Sequence, residues 1–281
     1  EVAFSSLVAL TDLSLTFITP PRDAWPQALS ALRHAPLKRF ELRSHGLVTP
    51  ALVQAVVDLL SPKELDRLEF HVFAAATACW GLDRLERVLQ RCREAAVECP
   101  QFETAAEWSV EVVCRAWARG IASSQLVVLR LSLCSLRMEQ CVAEELGAAF
   151  GQLELRELSL KLWYRASDEQ VAALVGSIKP TLKSLELNMR LGTVTDRSVA
   201  LLGEVAGRCA QLHTLRLDFS LCEHLRTAAV LALYQGVKPL RHLVALRVVF
   251  EHTLVGEVFT SRQQLWEFAF SSEEDGCAIF E

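Results

Sequence analysis

The spacing L-x-x-L-x-L constrains this chain more than any other feature. Two clear copies lie thirty residues apart, and a segment with helical periodicity separates them. The leucines that carry them are Leu182, Leu185, Leu187, Leu212, Leu215 and Leu217. Self-similarity at a fixed period is typical of a protein built by stacking copies of one small structural unit.

Each copy predicts one strand followed by one helix. Leu185 and Leu187 alternate with polar residues, which places the apolar side chains on one face of a strand. Thr195 and Asp196 then offer a helix N-cap, because a short side-chain oxygen accepts from the free amides of a first turn. Apolar residues three and four positions apart follow and predict one helix face. Neither element can bury its apolar face alone, so several copies must stack.

Copies of this unit run through nearly all of the 281 residues, of which 51% are hydrophobic. A period near 28 predicts a single solenoid of about ten units over residues 1–281. Copies are predicted to begin at Leu10, Leu37, Leu65, Leu126, Leu155, Leu182, Leu212 and Leu243, and they are regular from Leu126 onward. The helix of the second copy is predicted to run from about Thr49-Pro50 to Leu60, with proline at an early position where its missing N–H costs nothing. We expect a C-terminal cap and an acidic tail over 255–281, with a last strand through Leu265, Phe268 and Phe270.

The region 74–122 departs from the pattern. It predicts a helix from Leu82 to Ala96 and a second helix over 108–121. Between them we place a degenerate fourth copy, with Phe102 at a leucine position. The alternative is that 74–122 is an insertion of two helices.

These residues resemble the leucine-rich-repeat family. The unit of about 28 residues with an α-helix is similar to the ribonuclease-inhibitor type. The segment with Thr195-Asp196, Cys209 and Leu212 also resembles the cysteine-containing repeats of F-box proteins. The resemblance implies an α/β horseshoe, with parallel strands on the concave face and helices on the convex face. Only Cys134 occupies the position that Asn or Cys usually takes in such repeats.

In such a horseshoe, the strand residues that point away from the core form the default binding surface. They mix acidic and basic side chains and contain no Phe, Tyr or Trp. The predicted protein-binding residues are Glu41, Arg43, Glu69, His71, Arg130, Lys161, Glu186, Asn188, Arg216, Asp218 and Arg247. The alternative is a solvated surface that serves solubility only.

Aromatic residues offer a second possible contact. Trp163 and Tyr164 follow a predicted strand, and both residue types are enriched at interface hot spots. Trp163 could instead fold back over the core between neighbouring turns. Trp108 and Trp117 lie on a predicted helix, where core packing is the simpler interpretation.

Motifs that carry catalysis or bind metals are absent from the sequence. Histidines and cysteines do not occur at the close spacings of a zinc site, and no glycine-rich phosphate loop or G-x-S-x-G is present. We therefore predict a protein that is not an enzyme and has no cofactor or metal. The net charge of −5 and the mixture of signs on the strand face do not favour nucleic acid.

Nine cysteines at irregular spacings predict reduced thiols in a cytoplasmic or nuclear protein. No apolar run reaches the roughly 18 residues that predict a membrane span. We expect no membrane partner and a monomer.

The function predicted from these features is a non-enzymatic scaffold for protein–protein interaction. One alternative is the substrate-recognition part of an F-box type ubiquitin ligase, which depends on the family resemblance. Another is a regulator or inhibitor of a second enzyme, such as a small GTPase or a nuclease.

The strand register makes a testable prediction at two adjacent residues. Leu217→Asp should place a charge in the core and unfold the regular repeats, at a cost well above the ~1 kcal/mol of an average substitution. Arg216→Asp, on the opposite strand face, should leave the fold intact. Circular dichroism of the two variants checks this, and equal unfolding of both would contradict the register.

Overall fold

A computed structural model describes residues 9–17, 24–74, 83–98, 107–132, 138–162, 166–265 and 267–268. The chain forms two compact units, Glu1–Met138 and Glu139–Glu281. In both units strands and helices alternate along the chain, so the fold is a repeating α/β arrangement. The prediction of one continuous horseshoe-shaped solenoid stays a prediction.

The first unit contains five strands that are parallel and lie side by side in chain order. Helices connect them, and consecutive helices α1 and α2, and α3 and α4, pack against each other. The elements are β1 Asp12–Phe17, α1 Ala24–Ser30, β2 Arg39–Val48, α2 Pro50–Leu60, β3 Leu65–Ala74, α3 Glu86–Leu89, β4 Cys92–Glu98, α4 Glu107–Ala122 and β5 Val128–Ser132.

The second unit contains four parallel strands, again in chain order, and a short fifth strand that runs antiparallel. Its helices also pack in sequence, α5 with α6 and α7 with α8. The elements are α5 Gln140–Gln152, β6 Glu157–Lys161, α6 Asp168–Gly176, β7 Ser184–Asn188, α7 Asp196–Arg208, β8 Thr214–Asp218, α8 Thr227–Val237, β9 Ala245–Val249 and β10 Val258–Phe259.

Equivalent repeat positions pair with each other across the strands of the second unit. Leu185 lies opposite Leu215, and Leu187 lies opposite Leu217. All four are at most 1% exposed, so the predicted strand register is confirmed. Because side chains alternate between the two faces of a strand, this pairing also aligns the residues between them on the outward face.

The helix starts that the sequence predicts are confirmed at two of the copies. Thr49 caps α2 by accepting from the amide of Leu52, at 3.3 Å, and Pro50 occupies the first helical position. Thr195 caps α7 by accepting from the amide of Arg197, also at 3.3 Å.

A carboxylate at the first position of α6 ties that helix to the next repeat. Asp168 accepts from the amide of Thr195 at 2.8 Å, from the Thr195 hydroxyl at 2.6 Å and from the Ser198 hydroxyl at 2.5 Å. Burial alone would raise the pKa of Asp168, but these hydrogen bonds outweigh it and lower the pKa. Asp196 repeats the contact one unit later, where it accepts from the amide of Arg226 at 2.8 Å.

The loops after the strands repeat as closely as the strands do. Leu191, Leu221 and His252 occupy equivalent positions, and all three adopt left-handed backbone conformations with φ of 63°, 63° and 57°. The amide of Leu191 donates to the carbonyl of Ser220 at 3.0 Å, and the amide of Leu221 donates to that of Glu251 at 2.9 Å. The hydrogen bonds between repeats therefore continue beyond the strands into these turns.

The predicted helix from Leu82 to Ala96 is wrong. Among the described residues of this span, 83–96, only Glu86–Leu89 is an α-helix, and Cys92–Glu98 is strand β4, which pairs with β3 and β5. Glu, Arg and Ala favour a helix locally, but pairing on both sides and burial of Ala95 and Val97 outweigh that preference. The predicted fourth copy around Phe102 lies outside the described residues.

The predicted last strand is also wrong where it can be compared. Leu265 and Phe268 are helical, and Phe270 lies outside the described residues. The final strand is instead Val258–Phe259, which pairs antiparallel with β9. A strand of two residues leaves no periodicity for sequence reasoning to find.

Aromatic rings fill the core at the C-terminal end of the second unit. Phe219 and Phe250 stack with ring centroids 5.2 Å apart, and Phe259 meets Phe250 edge-on at 6.1 Å. Phe268 then contacts Phe259 at 5.2 Å. These contacts between aromatic rings extend the hydrophobic core beyond β9, the last parallel strand.

No helix within the described ranges has the length and apolar character that a membrane crossing requires.

Close approach of α7 and α8 makes a second prediction. A Cβ added at Gly236 would overlap the backbone carbonyl of Gly203, whereas one added at Gly176 would meet no heavy atom within 4 Å. Gly236→Ala should therefore lower the free energy of unfolding by about 1–3 kcal/mol. Gly176→Ala should raise it by about 0.5–1 kcal/mol, because alanine restricts the unfolded chain and favours helix.

Urea denaturation of the two variants measures both effects. Equal changes in the two would show that the helices do not approach as closely as described.

Candidate functional site

The candidate site is the outward face of each sheet, the side that carries the polar residues between the buried leucines. Strand pairing arranges these residues in rows that run across the strands. Each row contains the residues that occupy the same repeat position in successive strands. In the first unit the rows are Ser14, Glu41, Glu69, Ala96 and Arg130, and Thr16, Arg43, His71, Glu98 and Ser132. In the second unit they are Ser159, Glu186, Arg216 and Arg247, and Lys161, Asn188, Asp218 and Val249.

Charged residues on the outward face of the first unit pair with one another. Arg43 forms ion pairs with Glu41 and, at 3.5 Å, with Glu69. Glu69 also pairs with Arg67. His71 reaches Glu69 at 3.5 Å through Nε2 and Glu98 at 3.0 Å through Nδ1. The network therefore runs across β2, β3 and β4.

The electrostatic centre of this network is Glu69, whose side chain is 15% exposed. Burial alone would raise its pKa, but Arg67 and His71 outweigh that effect, so the pKa of Glu69 lies below its usual value. The carboxylate is thus ionised at neutral pH and compensated by its neighbours. We interpret this cluster as a stabilising element of the first unit rather than a surface prepared for a ligand.

Sequence reasoning missed two members of the network. Arg67 lies two residues before Glu69, outside the predicted rows, and faces outward at the start of the segment of β3 that pairs with β2. Glu98 was missed because the sequence predicts a helix where β4 lies. Glu94 and Glu98 lie on the outward side with Ala96 between them, so REAAVE does not alternate polar with apolar residues and carries no clear strand signal.

Two predicted binding residues of the second unit shape the turns that follow their strands. Asn188 accepts from the amide of Arg190 at 3.2 Å, and Asp218 accepts from the amide of Ser220 at 3.0 Å. The Ser220 hydroxyl donates to the same oxygen of Asp218 at 2.6 Å, and the Asn188 amide donates to the other oxygen at 3.2 Å. Both oxygens of Asp218 therefore already accept hydrogen bonds from within the unit.

A groove of about 590 Å³ lies on the outward face of the second unit. It brings together five of the predicted residues: Glu186, Asn188, Arg216, Asp218 and Arg247. Sequence reasoning did not predict the other polar residues of its lining, which are Arg190, Ser220, Glu251 and Thr260. Arg190, Ser220 and Glu251 share one repeat position just after the strand, and that shared position is the signal that could have found them.

Arg216 and Arg247 are direct neighbours in this groove. They lie opposite each other on β8 and β9, and both are exposed. Within the described part of the chain, neither guanidinium forms an ion pair. Glu186 lies opposite Arg216 on β7 but is not within ion-pair distance of it. This pair of like charges differs from the first unit, where Arg43 and Arg67 each have a carboxylate.

The remaining predicted residues lie apart from the groove. Lys161 is on β6 opposite Asn188 and does not line it. Arg130 lies on β5 in the first unit. Trp163 and Tyr164, the predicted aromatic contact, lie outside the described residues, as does Cys134.

The core interpretation is confirmed for Trp117, which is fully buried, and Cys209 is buried as well, at 1% exposed. Burial raises the pKa of the Cys92 and Cys114 thiols to about 12. Burial likewise raises the pKa of Cys222 to about 11. These thiols therefore stay protonated at neutral pH, which makes them poor nucleophiles.

Metal ligands do not converge within either unit: among its described residues, no three His, Cys, Asp or Glu side chains place ligand atoms within 4.8 Å of one another. The absence of a metal or cofactor stays a prediction. Comparison with protein-family models and with curated protein sequences found no match for this chain.

The ion-pair network of the first unit makes a third prediction. Glu69→Gln should lower the free energy of unfolding at pH 7 by about 1 kcal/mol, because Arg43, Arg67 and His71 lose the carboxylate that they share. The pKa of Glu69 is lowered by folding, so its stabilising effect is complete above the ordinary glutamate pKa of about 4.3 and is lost as the pH falls through the lower folded value.

Thermal unfolding of wild type and variant from pH 7 down to pH 3 measures this. The matched control is Asp12→Asn, which removes an exposed pair with Arg39 at 3.5 Å and should change stability by less than about 0.5 kcal/mol. A Glu69 effect that stays constant across this pH range would exclude the ionic explanation.

Proposed function

We propose that this chain is a leucine-rich-repeat protein that acts as a non-enzymatic scaffold for protein–protein interaction. The repeat of strand, capped helix and turn supports the family assignment. The alignment of Leu185 with Leu215 and Leu246 across parallel strands supports it as well. A rigid sheet that presents rows of polar side chains is suited to recognising another protein.

The recognition surface in this proposal is the groove on the outward face of the second unit. The observation that carries it is the neighbouring pair Arg216 and Arg247, exposed and without ion pairs among the described residues. Arginine is enriched at interface hot spots because its planar group makes several directed hydrogen bonds. Two like charges held side by side cost free energy in the unbound protein, and an anionic group from a partner would offset that cost.

The buried thiols favour a binding protein over an enzyme. Cys92, Cys114 and Cys222 have raised pKa values and do not line the groove. Cys92, Cys114, Cys209 and Cys222 are not in disulfides, which favours a reducing compartment such as the cytoplasm or nucleus.

A second candidate is the substrate-recognition part of an F-box type ubiquitin ligase. Thr195 at the start of α7 and Cys209 at its end favour the repeat subtype of such proteins. Under this proposal the same groove would bind the substrate, so the same residues are tested.

The experiment that tests the proposal is site-specific photo-crosslinking in cells. The crosslinking amino acid p-benzoylphenylalanine replaces Glu186, which lines the groove, or Glu204, which is exposed on α7. A protein partner should crosslink at position 186 and not at position 204. The identified partner is then purified, and its direct binding is measured by calorimetry with the wild-type chain.

Efficient crosslinking at 204 with none at 186 would place the interaction on the helices and contradict the proposal. The identity of the partner separates the two candidates, because a ligase adaptor should retain ubiquitinated substrates.

A further inference from the structure

We infer that the groove of the second unit binds an acidic, extended segment of a partner protein, with Arg216 and Arg247 as the residues that hold its carboxylates. This inference rests on the proposed function and adds the chemistry of the ligand. The inference follows from which charged groups of the groove already form hydrogen bonds or ion pairs within the protein and which do not.

The two guanidiniums are placed to act together. They extend from adjacent strands, whose backbones lie about 4.8 Å apart, and they point to the same face. An arginine binds a carboxylate through two parallel hydrogen bonds, which makes the contact strong and directional. The pair can therefore bind one carboxylate between them or two carboxylates from nearby residues of the same segment.

The acidic residues of the groove leave this positive charge available. Asp218 uses both carboxylate oxygens on Ser220 and Asn188. Among the described residues, Glu186 and Glu251 line the groove without forming an ion pair with either arginine. Arg190, also exposed in the lining, adds a third guanidinium at the end of β7.

The same acidic residues favour a carboxylate over a phosphate. Three acidic and three basic side chains line the groove: Glu186, Asp218, Glu251, Arg190, Arg216 and Arg247. A phosphate group brings about −1.5 to −2 charges close to these carboxylates, and like-charge repulsion opposes that. A carboxylate brings a single charge, which one guanidinium can balance.

An apolar position accompanies the charged ones. Val249 lies in the same row as Asn188 and Asp218, faces outward and is 6% exposed. It forms an apolar part of the groove lining beside Arg247. The lining is therefore not charged throughout, and the favoured ligand carries its acidic side chains at intervals rather than at every position.

The test measures fluorescence anisotropy of a labelled peptide of about ten residues that alternates glutamate with valine. The full chain is titrated into this peptide and into a matched peptide with glutamine in place of glutamate. The test variant is Arg216→Gln with Arg247→Gln. The control variant is Arg226→Gln with Arg241→Gln, which removes the same charge from exposed residues outside the groove.

Wild type and control should bind the glutamate peptide with equal affinity, and the test variant should bind it at least about tenfold more weakly. The glutamine peptide should bind as weakly to wild type as the glutamate peptide binds to the test variant. Circular dichroism of all three proteins should be the same, because both substitutions lie on exposed side chains. Higher salt should weaken the wild-type interaction and leave the test variant nearly unchanged.

Equal binding by the test variant and the wild type would overturn the inference. Tighter binding of a phosphoserine peptide than of the glutamate peptide would overturn the assignment to carboxylates. If the partner crosslinks at position 186 but the glutamate peptide does not bind, the proposed function stands and this inference fails. Failure of both experiments removes the groove as a binding site.

Discussion

The pairing of equivalent repeat positions across parallel strands is the constraint on which the rest of this structure depends. Because side chains alternate in and out along a strand, a slip of one residue would move every leucine to solvent and every charge to the core. The pairing of Leu185 with Leu215, and of Leu187 with Leu217, keeps the apolar set buried. Contacts between the helices stabilise the same alignment of the repeats, since Asp168 and Asp196 each accept a hydrogen bond from the start of the following helix.

The same register creates the candidate site. Residues one position from the buried leucines meet their counterparts on neighbouring strands, so whatever charge the sequence places there is concentrated in a row. In the first unit residues of opposite charge lie side by side. Glu69 is the centre of a network in which they form ion pairs with one another. In the second unit Arg216 meets Arg247, and no ion pair among the described residues compensates them. One architecture thus yields a surface whose charges form ion pairs with one another and a surface on which two neighbouring arginines form none among the described residues.

Sequence reasoning worked wherever the pattern was local and repeated. The starts of α2 and α7 and the register of β7 and β8 were predicted, because caps and leucine spacing depend on neighbours in the chain. It failed at Cys92–Glu98, where residues that favour a helix form a strand because β3 and β5 pair with both its edges. That error also hid Glu98, and with it part of the network on the outward face.

The sequence by itself determined the repeating unit, the face of each strand that is buried and the rows in which the candidate binding residues lie. These depend on periodicity, which is a property of the chain. Only the tertiary structure decided which charges are paired. Arg43 and Arg216 face outward on their strands in the same way, yet Arg43 forms ion pairs with two carboxylates and Arg216 forms none among the described residues. Ion pairing depends on distances between side chains of different repeats, and those distances exist only after the strands have packed.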